Sequence, residues 1–193
     1  MGPTELTDAL RAVGELLHAE GTREAIVVVG GASLSLLGLV SRTTQDVDVI
    51  ARLQQPGGDA QVLVHPEPMP PALVRAVQTV ARDFGLPADW MNTDVALQWA
   101  MGLPPGFTEE LVWRRYGGLQ VGLAGRQTLI ALKLFAAVDD GPHGVHVQDL
   151  VALAPTGDEF SQAAHWVRTQ DASPVFQQMV GEVAATVLPQ QEG

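Results

Sequence analysis

The spacing of apolar residues along the chain predicts a protein in which helices and strands alternate. From Thr4 to Glu20, leucine and valine side chains recur at the helical period, which is typical of an amphipathic helix. From Ile26 to Val29 every residue is apolar and β-branched, and this run predicts a buried strand. The same reasoning gives the remaining elements. Further helices are predicted at 32–40, 71–84, 93–101, 127–138, 157–170 and 173–188, and strands at 46–50, 61–64 and, as a hairpin, within 110–124.

This order of elements predicts an α/β (α+β) fold in which a mixed sheet is backed by helices. The predicted strands all fall within residues 1–125, which we expect to form the core domain. Residues 126–193 are predicted to form a C-terminal helical lobe packed on that core. With 46% hydrophobic and 17% charged residues, the chain has the composition of a globular protein with a substantial core.

A pair of glycines marks the first candidate binding site. Gly30 and Gly31 follow the strand at 26–29 directly, where a helix is predicted to begin. Glycine at such a turn permits positive φ and lets a ligand approach the backbone closely. The free N–H groups and the positive end of the helix dipole lie beside this turn, which suits a phosphate group.

Two aspartates on the next predicted strand form the second candidate site. Because side chains alternate along a strand, Asp46 and Asp48 share one face, and Val47 and Val49 share the other. Neighbouring carboxylates repel each other unless a positive charge lies between them. Carboxylate oxygens suit Mg²⁺, so Asp46 and Asp48 are the predicted metal ligands. The alternative is a plain strand–helix–strand unit with a glycine turn and two solvated aspartates.

The order of strand, Gly30-Gly31, helix and Asp46-x-Asp48 resembles the signature of the polymerase β-like nucleotidyltransferase superfamily. This resemblance implies the nucleotidyltransferase fold, with a nucleoside triphosphate held at the glycine turn and Mg²⁺ held by the aspartates. It also implies an enzyme that transfers a nucleotide from the triphosphate to a hydroxyl group on an acceptor. Thr43 and Thr44 precede the aspartates, and either touch metal-bound water or belong only to the loop.

A second resemblance narrows the family. The run Trp90-Met91-Asn92, followed by Leu103-Pro104-Pro105-Gly106, resembles the bacterial DUF6036 group of nucleotidyltransferases, which is related to the AbiEii toxins of toxin–antitoxin systems. Two interpretations remain open for Trp90 and two for Asn92. Trp90 either packs in the core or contacts a ligand. Asn92 either caps the following helix or contributes to nucleotide binding.

The resemblance assigns roles to several more residues. Ser33 is expected to hold phosphate through its hydroxyl group, and Arg42 to offset the phosphate charge. The run LIALKLFA resembles a second block of the family, in which Lys133 faces the nucleotide; the alternative is a lysine that reaches the surface. Asp149 matches the final acid of a further block and is expected to orient Lys133 or a metal. His146 stands where relatives have an acid, which puts this block in doubt.

Most enzymes of the superfamily use a third carboxylate as base or metal ligand. Asp149 is the candidate that matches the toxin-like relatives, and Asp89 and Asp94 are weaker candidates near Asn92. In the predicted hairpin, alternation places Arg114 and Arg115 on opposite faces of one strand. One of these arginines is a candidate for a phosphate contact, and the other fits a solvated edge strand.

Charge and composition narrow the classes of molecule that the protein is expected to bind. The chain has 22 acidic and 11 basic residues, a net charge of −11, which argues against broad non-specific binding of nucleic acid. There is no cysteine, no apolar run long enough to span a membrane and no signal peptide pattern, so we expect a cytoplasmic protein. The acceptor is expected to be tRNA, a protein or a small molecule such as an aminoglycoside, and a toxin-like role implies a cognate antitoxin. The alternative function is a catalytically inactive module that binds a nucleotide or a protein.

Overall fold

A computed structural model describes residues 1–57, 62–141 and 144–188. The chain divides into two compact units, one made of Met1–Leu103 with Leu111–Ala124 and the other of Pro104–Glu110 with Gly125–Gly193. The sequence-based division at residue 125 differs from this at Pro104–Glu110, which belongs to the second unit. The reason is local packing: Glu110 accepts a hydrogen bond from Thr128 N at 3.4 Å and fills the space beside Gly125.

The first unit contains the whole sheet. Its elements are α1 (Pro3–Ala19), β1 (Glu24–Val29), α2 (Gly30–Leu36), β2 (Val47–Leu53), β3 (Leu63–Val64), α3 (Pro71–Phe84), β4 (Met91–Asn92), a 3₁₀ turn (Asp94–Ala96), α4 (Leu97–Met101), β5 (Val112–Tyr116) and β6 (Leu119–Leu123). The sheet has six strands in the order β3-β2-β1-β6-β5, and β4 also pairs with β2. Strand β1 is parallel to β6 and antiparallel to β2, so the sheet is mixed, as the sequence predicts.

One face of this sheet packs into the core together with helices α1 and α3. Leu10 and Leu17 of α1, Leu73 and Val77 of α3, and Val28 of β1 belong to a single cluster of buried side chains. Val47 and Val49 of β2 join the same cluster, so this strand turns its valines towards the helices. The predicted fold, a mixed sheet backed by helices, is therefore confirmed.

Several predicted elements differ in their limits. The helix predicted at 32–40 is α2, which ends at Leu36; Gly38 follows with a φ of +71°, which helical residues do not adopt. The strand predicted at 61–64 is β3, which covers Leu63–Val64, while residue 61 lies outside the described residues. The helix predicted at 93–101 is a 3₁₀ turn followed by α4.

The second unit is built from four helices in the described part of the chain. They are α5 (Arg126–Asp140), α6 (Val145–Leu153), α7 (Gly157–Gln170) and α8 (Pro174–Val187). Phe135 of α5 packs its ring against Trp166 of α7 and Phe176 of α8, with ring centres 6.1 Å apart in both pairs. Within the described ranges, no helix is both long and apolar enough to cross a membrane.

The start of α7 is fixed by an ion pair that makes stability depend on pH. Arg126 donates to both carboxylate oxygens of Glu159 at 2.7 and 3.1 Å, and Thr156 completes a capping box. These contacts, the Arg126 hydrogen bond first, lower the pKa of Glu159 from 4.5 to about 2. A lowered folded-state pKa contributes stability above the unfolded value of 4.5, and the contribution is lost as the pH falls through about 2.

We expect Glu159→Gln to lower the free energy of unfolding at pH 7 by about 1 kcal/mol, because both side chains are partly exposed and screened by solvent. The difference from the unsubstituted protein should shrink as the pH falls from 4.5 towards 2. Chemical denaturation at several pH values measures it. Glu182→Gln, at an exposed carboxylate of α8, is the matched control. An equal loss in both variants, or a loss that does not change with pH, would contradict the prediction.

Candidate functional site

The turn between β1 and α2 brings the glycine pair and the aspartates together. Val29, the last residue of β1, lies opposite Asp48 of β2 in the antiparallel pair. Gly30 then turns with a φ of +66°, and a Cβ at this position would lie 2.3 Å from Asp48 Oδ2. Only glycine fits here, since a side chain would both strain the backbone and displace the carboxylate. The Asp48 carboxylate therefore lies directly on the glycine turn.

The loop before β2 closes on Gly31. A Cβ at Gly31 would lie 2.7 Å from Thr44 Oγ1 and 3.2 Å from Arg42 Nη2. Thr44 is buried and its hydroxyl donates to Asp46 O at 3.1 Å, while Arg42 Nη1 donates to Thr43 O at 3.0 Å. These bonds shape the loop so that a guanidinium group lies beside the same glycine turn as Asp48. Of the two interpretations of Thr44, the structure favours a role in the loop.

The two aspartates alternate with the buried valines Val47 and Val49. Val47 and Val49 are buried, whereas Asp46 and Asp48 are half-buried, so burial alternates along the chain as the sequence predicts. Asp46 lies immediately before the strand, which begins at Val47 rather than at Asp46. The Asp48 carboxylate thus lies at the turn and is only half-buried, and Asp46 lies two residues before it in the chain.

Asn92 lies next to Asp48 because β4 pairs in parallel with the start of β2. The register matches Asp48 with Asn92, which places both side chains on one face of the sheet. Asn92 Oδ1 also accepts a hydrogen bond from Asp94 N at 3.0 Å, at the start of the 3₁₀ turn. Asn92 therefore caps this turn while lying at the candidate site. Trp90 is fully buried and donates to Val77 O at 3.1 Å, which confirms that it packs in the core.

Ser33 does not lie where phosphate binding through its hydroxyl requires it. The side chain is fully buried, and its hydroxyl donates to Val28 O at 2.9 Å. The pattern that singles out Ser33, a serine just after a glycine pair, is the same whether the hydroxyl points outwards or back onto the preceding strand. The structure corrects the prediction: Ser33 stabilises the strand-to-helix turn from inside.

The donor set at the turn fits a magnesium ion that is shared with a substrate. Among the described residues, no group of three or more His, Asp or Glu side chains is placed to hold a metal ion. Asp89 and Asp94 are exposed, and neither joins Asp46 and Asp48 in such a group. Mg²⁺ is commonly bound by one or two carboxylates, with phosphate and water oxygens completing the shell. Two half-buried aspartates beside a glycine turn meet that requirement.

The second unit contains a separate group of functional candidates. Lys133 of α5 is almost fully buried, and its Nζ lies 2.8 Å from Asp149 Oδ2 and 3.2 Å from His146 Nδ1, both on α6. The interpretation that Lys133 reaches the surface is wrong. Asp149, which has 1% of its surface exposed, forms an ion pair with this ammonium group. His146 was missed as a partner, although its spacing of three from Asp149 puts both on one face of a helix.

The sheet and the glycine–aspartate site together define an α/β protein of the nucleotidyltransferase type. The chain belongs to the family described as nucleotidyltransferase of unknown function (DUF6036), whose model matches residues 5–112, more than half of its 193 residues. The matched range includes the glycine turn, both aspartates and Asn92. No curated protein and no solved structure matched the chain.

Proposed function

We propose that this protein is a magnesium-dependent enzyme that transfers a nucleotide from a nucleoside triphosphate to a hydroxyl group of an acceptor. One observation carries the proposal: the Asp48 carboxylate occupies the space that a side chain at Gly30 would need. The glycine turn, which would bind the phosphates, and the Asp48 carboxylate, which would bind Mg²⁺, thereby lie next to each other. Arg42 adds a positive charge at Gly31, next in the chain.

Each residue of the site has a defined part in this reaction. The backbone of Gly30 and Gly31 binds the phosphates, and Arg42 offsets their negative charge. Asp46 and Asp48 would hold Mg²⁺, which when bound neutralises charge on the triphosphate. The acceptor hydroxyl loses its proton to water and its oxygen bonds to the α-phosphorus. The bond from this phosphorus to the bridging oxygen breaks, and pyrophosphate leaves.

The roles of Lys133 and Asp149 in transfer stay predictions. Their ion pair holds the lysine ammonium in one position, which a charged group needs if it is to stabilise phosphate charge. The choice of acceptor is also a prediction. The net charge of −11 favours a cationic small molecule or a protein, whereas the toxin-like resemblance favours tRNA or a protein, with an antitoxin as partner.

Calorimetric titration with each nucleoside triphosphate, with and without Mg²⁺, tests the site. We expect binding that depends on Mg²⁺ and that weakens roughly 10- to 100-fold in Asp46→Asn and in Asp48→Asn, because each variant loses a metal ligand. Asp83→Asn, at an exposed carboxylate of α3, is the matched control and should bind as the unsubstituted protein does. Binding that needs no Mg²⁺, or that is unchanged in both variants, would contradict the proposed site.

Transfer itself is measured with triphosphates labelled at the α-phosphate and a panel of acceptors: tRNA, protein and aminoglycosides. Label that becomes attached to one acceptor class, and that is lost in Asp48→Asn, establishes the reaction. A second candidate function is a nucleotide-binding module without turnover. It is favoured by one observation, that the described residues provide no third acid beside Asp46 and Asp48. Binding of Mg²⁺ and triphosphate with no labelled product and no release of pyrophosphate identifies that module.

A further inference from the structure

The first unit has a cavity at the opposite end of the sheet from the glycine turn. It has a volume of about 250 Å³, and Glu24, the first residue of β1, lines it. Gly30 follows the other end of the same strand, so the two sites are separated by roughly 20 Å along β1. The cavity is therefore distinct from the proposed nucleotide site.

Two exposed arginines belong to the lining of this cavity. Arg23 precedes β1 and Arg115 belongs to β5, and both line the cavity with His18. Neither arginine has an ion pair or a hydrogen bond to the part of the chain that the structure describes. Arg115 is one of the two hairpin arginines, of which the sequence makes one a candidate for a phosphate contact.

The two arginines lack a carboxylate partner within the described ranges, although the chain is acidic. Five basic side chains of the described residues do have carboxylate partners within 3.1 Å; the pairs are Arg11–Asp8, Arg75–Glu20, Arg82–Asp83, Arg126–Glu159 and Lys133–Asp149. With 22 acidic residues against 11 basic ones, carboxylates are abundant. Two arginines that line one cavity, with no carboxylate partner among the described residues, leave positive charge that an external anion can neutralise.

The backbone around the cavity holds these groups in place. Arg115 of β5 pairs with Gln120 of β6, which in turn pairs with Ala25 of β1, so the arginine and the amide lie side by side on one face. The hairpin turn is tied to its surroundings, since Gly118 N donates to Gly14 O at 2.8 Å and Glu24 N donates to Gly118 O at 2.9 Å. The residues that line the cavity thus lie on paired strands and at the end of α1.

The other residues that line the cavity indicate what kind of molecule carries the anionic group. Glu24 and Gln120 provide oxygen acceptors next to the arginines. Burial raises the pKa of Glu24, and the nearby charge of Arg52 opposes this effect. A volume of about 250 Å³ lies below the range of ~300–1,000 Å³ that is usual for drug-sized ligands. A small anion, or a small molecule with hydroxyl groups and one anionic group, fits such a space.

We infer that this cavity binds a phosphate group, either as the free ion or as part of a small phosphorylated molecule. The guanidinium groups of Arg23 and Arg115 bind the phosphate oxygens, for which their forked donors are suited. Glu24 and Gln120 accept hydrogen bonds from hydroxyl groups of an organic ligand where one is present.

Amide NMR spectra recorded during titration with inorganic phosphate, and separately with ribose 5-phosphate, test this inference. The buffer contains EDTA, so that no Mg²⁺ site is filled, and has low ionic strength, since salt screens exposed charges. We expect saturable shifts of the amides of Gly117 and Gly118. Arg23→Gln and Arg115→Gln should each weaken binding at least fivefold. Arg114→Gln is the matched control, because Arg114 is on the same strand but on its other face, and it should change affinity less than twofold.

Each outcome either supports or overturns the inferred phosphate site. Binding of both probes at these residues supports a site for the free ion, and binding of ribose 5-phosphate alone supports a site for an organic phosphate. Binding of neither probe overturns the inference. Shifts confined to Gly30 and Gly31, or equal weakening by Arg114→Gln and Arg115→Gln, overturn it too, because the phosphate would then bind elsewhere or by general charge.

Discussion

Replacing Asp149 with alanine should lower the free energy of unfolding by about 3–5 kcal/mol. The substitution leaves the Lys133 ammonium buried, with 6% of the residue exposed, and without the carboxylate that lies 2.8 Å away. A buried ammonium group without a counter-charge has lost its hydration, and the contact with His146 Nδ1 at 3.2 Å replaces only part of it. Chemical denaturation of both proteins at pH 7 measures the difference.

Two further variants separate the ion pair from a general effect of substitution. Glu182→Ala removes an exposed carboxylate from α8 of the same unit and should cost less than about 0.5 kcal/mol. The double variant Lys133→Met/Asp149→Leu removes both charges and keeps the volume, so it should recover stability to within about 1 kcal/mol of the unsubstituted protein. A double variant as unstable as Asp149→Ala would show that packing, and not the buried charge, is responsible.

Replacing Gly30 with alanine should strongly weaken Mg²⁺-dependent triphosphate binding. The new Cβ would lie 2.3 Å from Asp48 Oδ2, so the carboxylate must leave its position on the turn. The positive φ of +66° adds about 1–3 kcal/mol of backbone strain. We expect the affinity for triphosphate to fall at least tenfold, as it does when a metal ligand is displaced. Calorimetric titration in the presence of Mg²⁺ measures this loss.

Gly38→Ala is the matched control for Gly30→Ala. Gly38 has a similar φ of +71°, but no atom lies within 4 Å of the place where its Cβ would be. This variant therefore suffers the backbone strain alone, and it should lose stability while binding triphosphate normally. If the two variants bind equally weakly, strain explains the effect, and the contact between Gly30 and Asp48 is not what matters.

The parts of the site that the sequence predicts are those that short-range patterns determine. The glycine pair, the valines of β2 and the alternation of Asp46 and Asp48 follow from local rules of strands and turns. The contact between Gly30 and Asp48 needs one long-range fact, that β1 and β2 pair as neighbours. Strands joined by a short connection commonly do so, but the shared site is predicted from the resemblance to the superfamily.

The parts that the sequence does not predict depend on packing between distant segments. Asn92 reaches Asp48 through β4, a strand of two residues that is too short to leave a periodic signal. Ser33 turns inwards because Val28 O lies within reach, and a propensity argument cannot detect that. His146 joins Lys133 because α5 and α6 pack together, which their separate helical patterns do not specify. Residues 104–110 joined the second unit for the same kind of reason.

The parallel pairing of β1 with β6 determines when the first unit can be completed during synthesis. Glu24 pairs with Leu119, so one edge of the central strand stays open until nearly the whole of this unit has left the ribosome. Contacts between such distant segments form slowly, because a long loop must close first. A fragment that ends before β6 exposes an apolar strand edge, which favours aggregation. Expression of shortened chains should therefore keep β5 and β6 even where only the glycine turn is of interest.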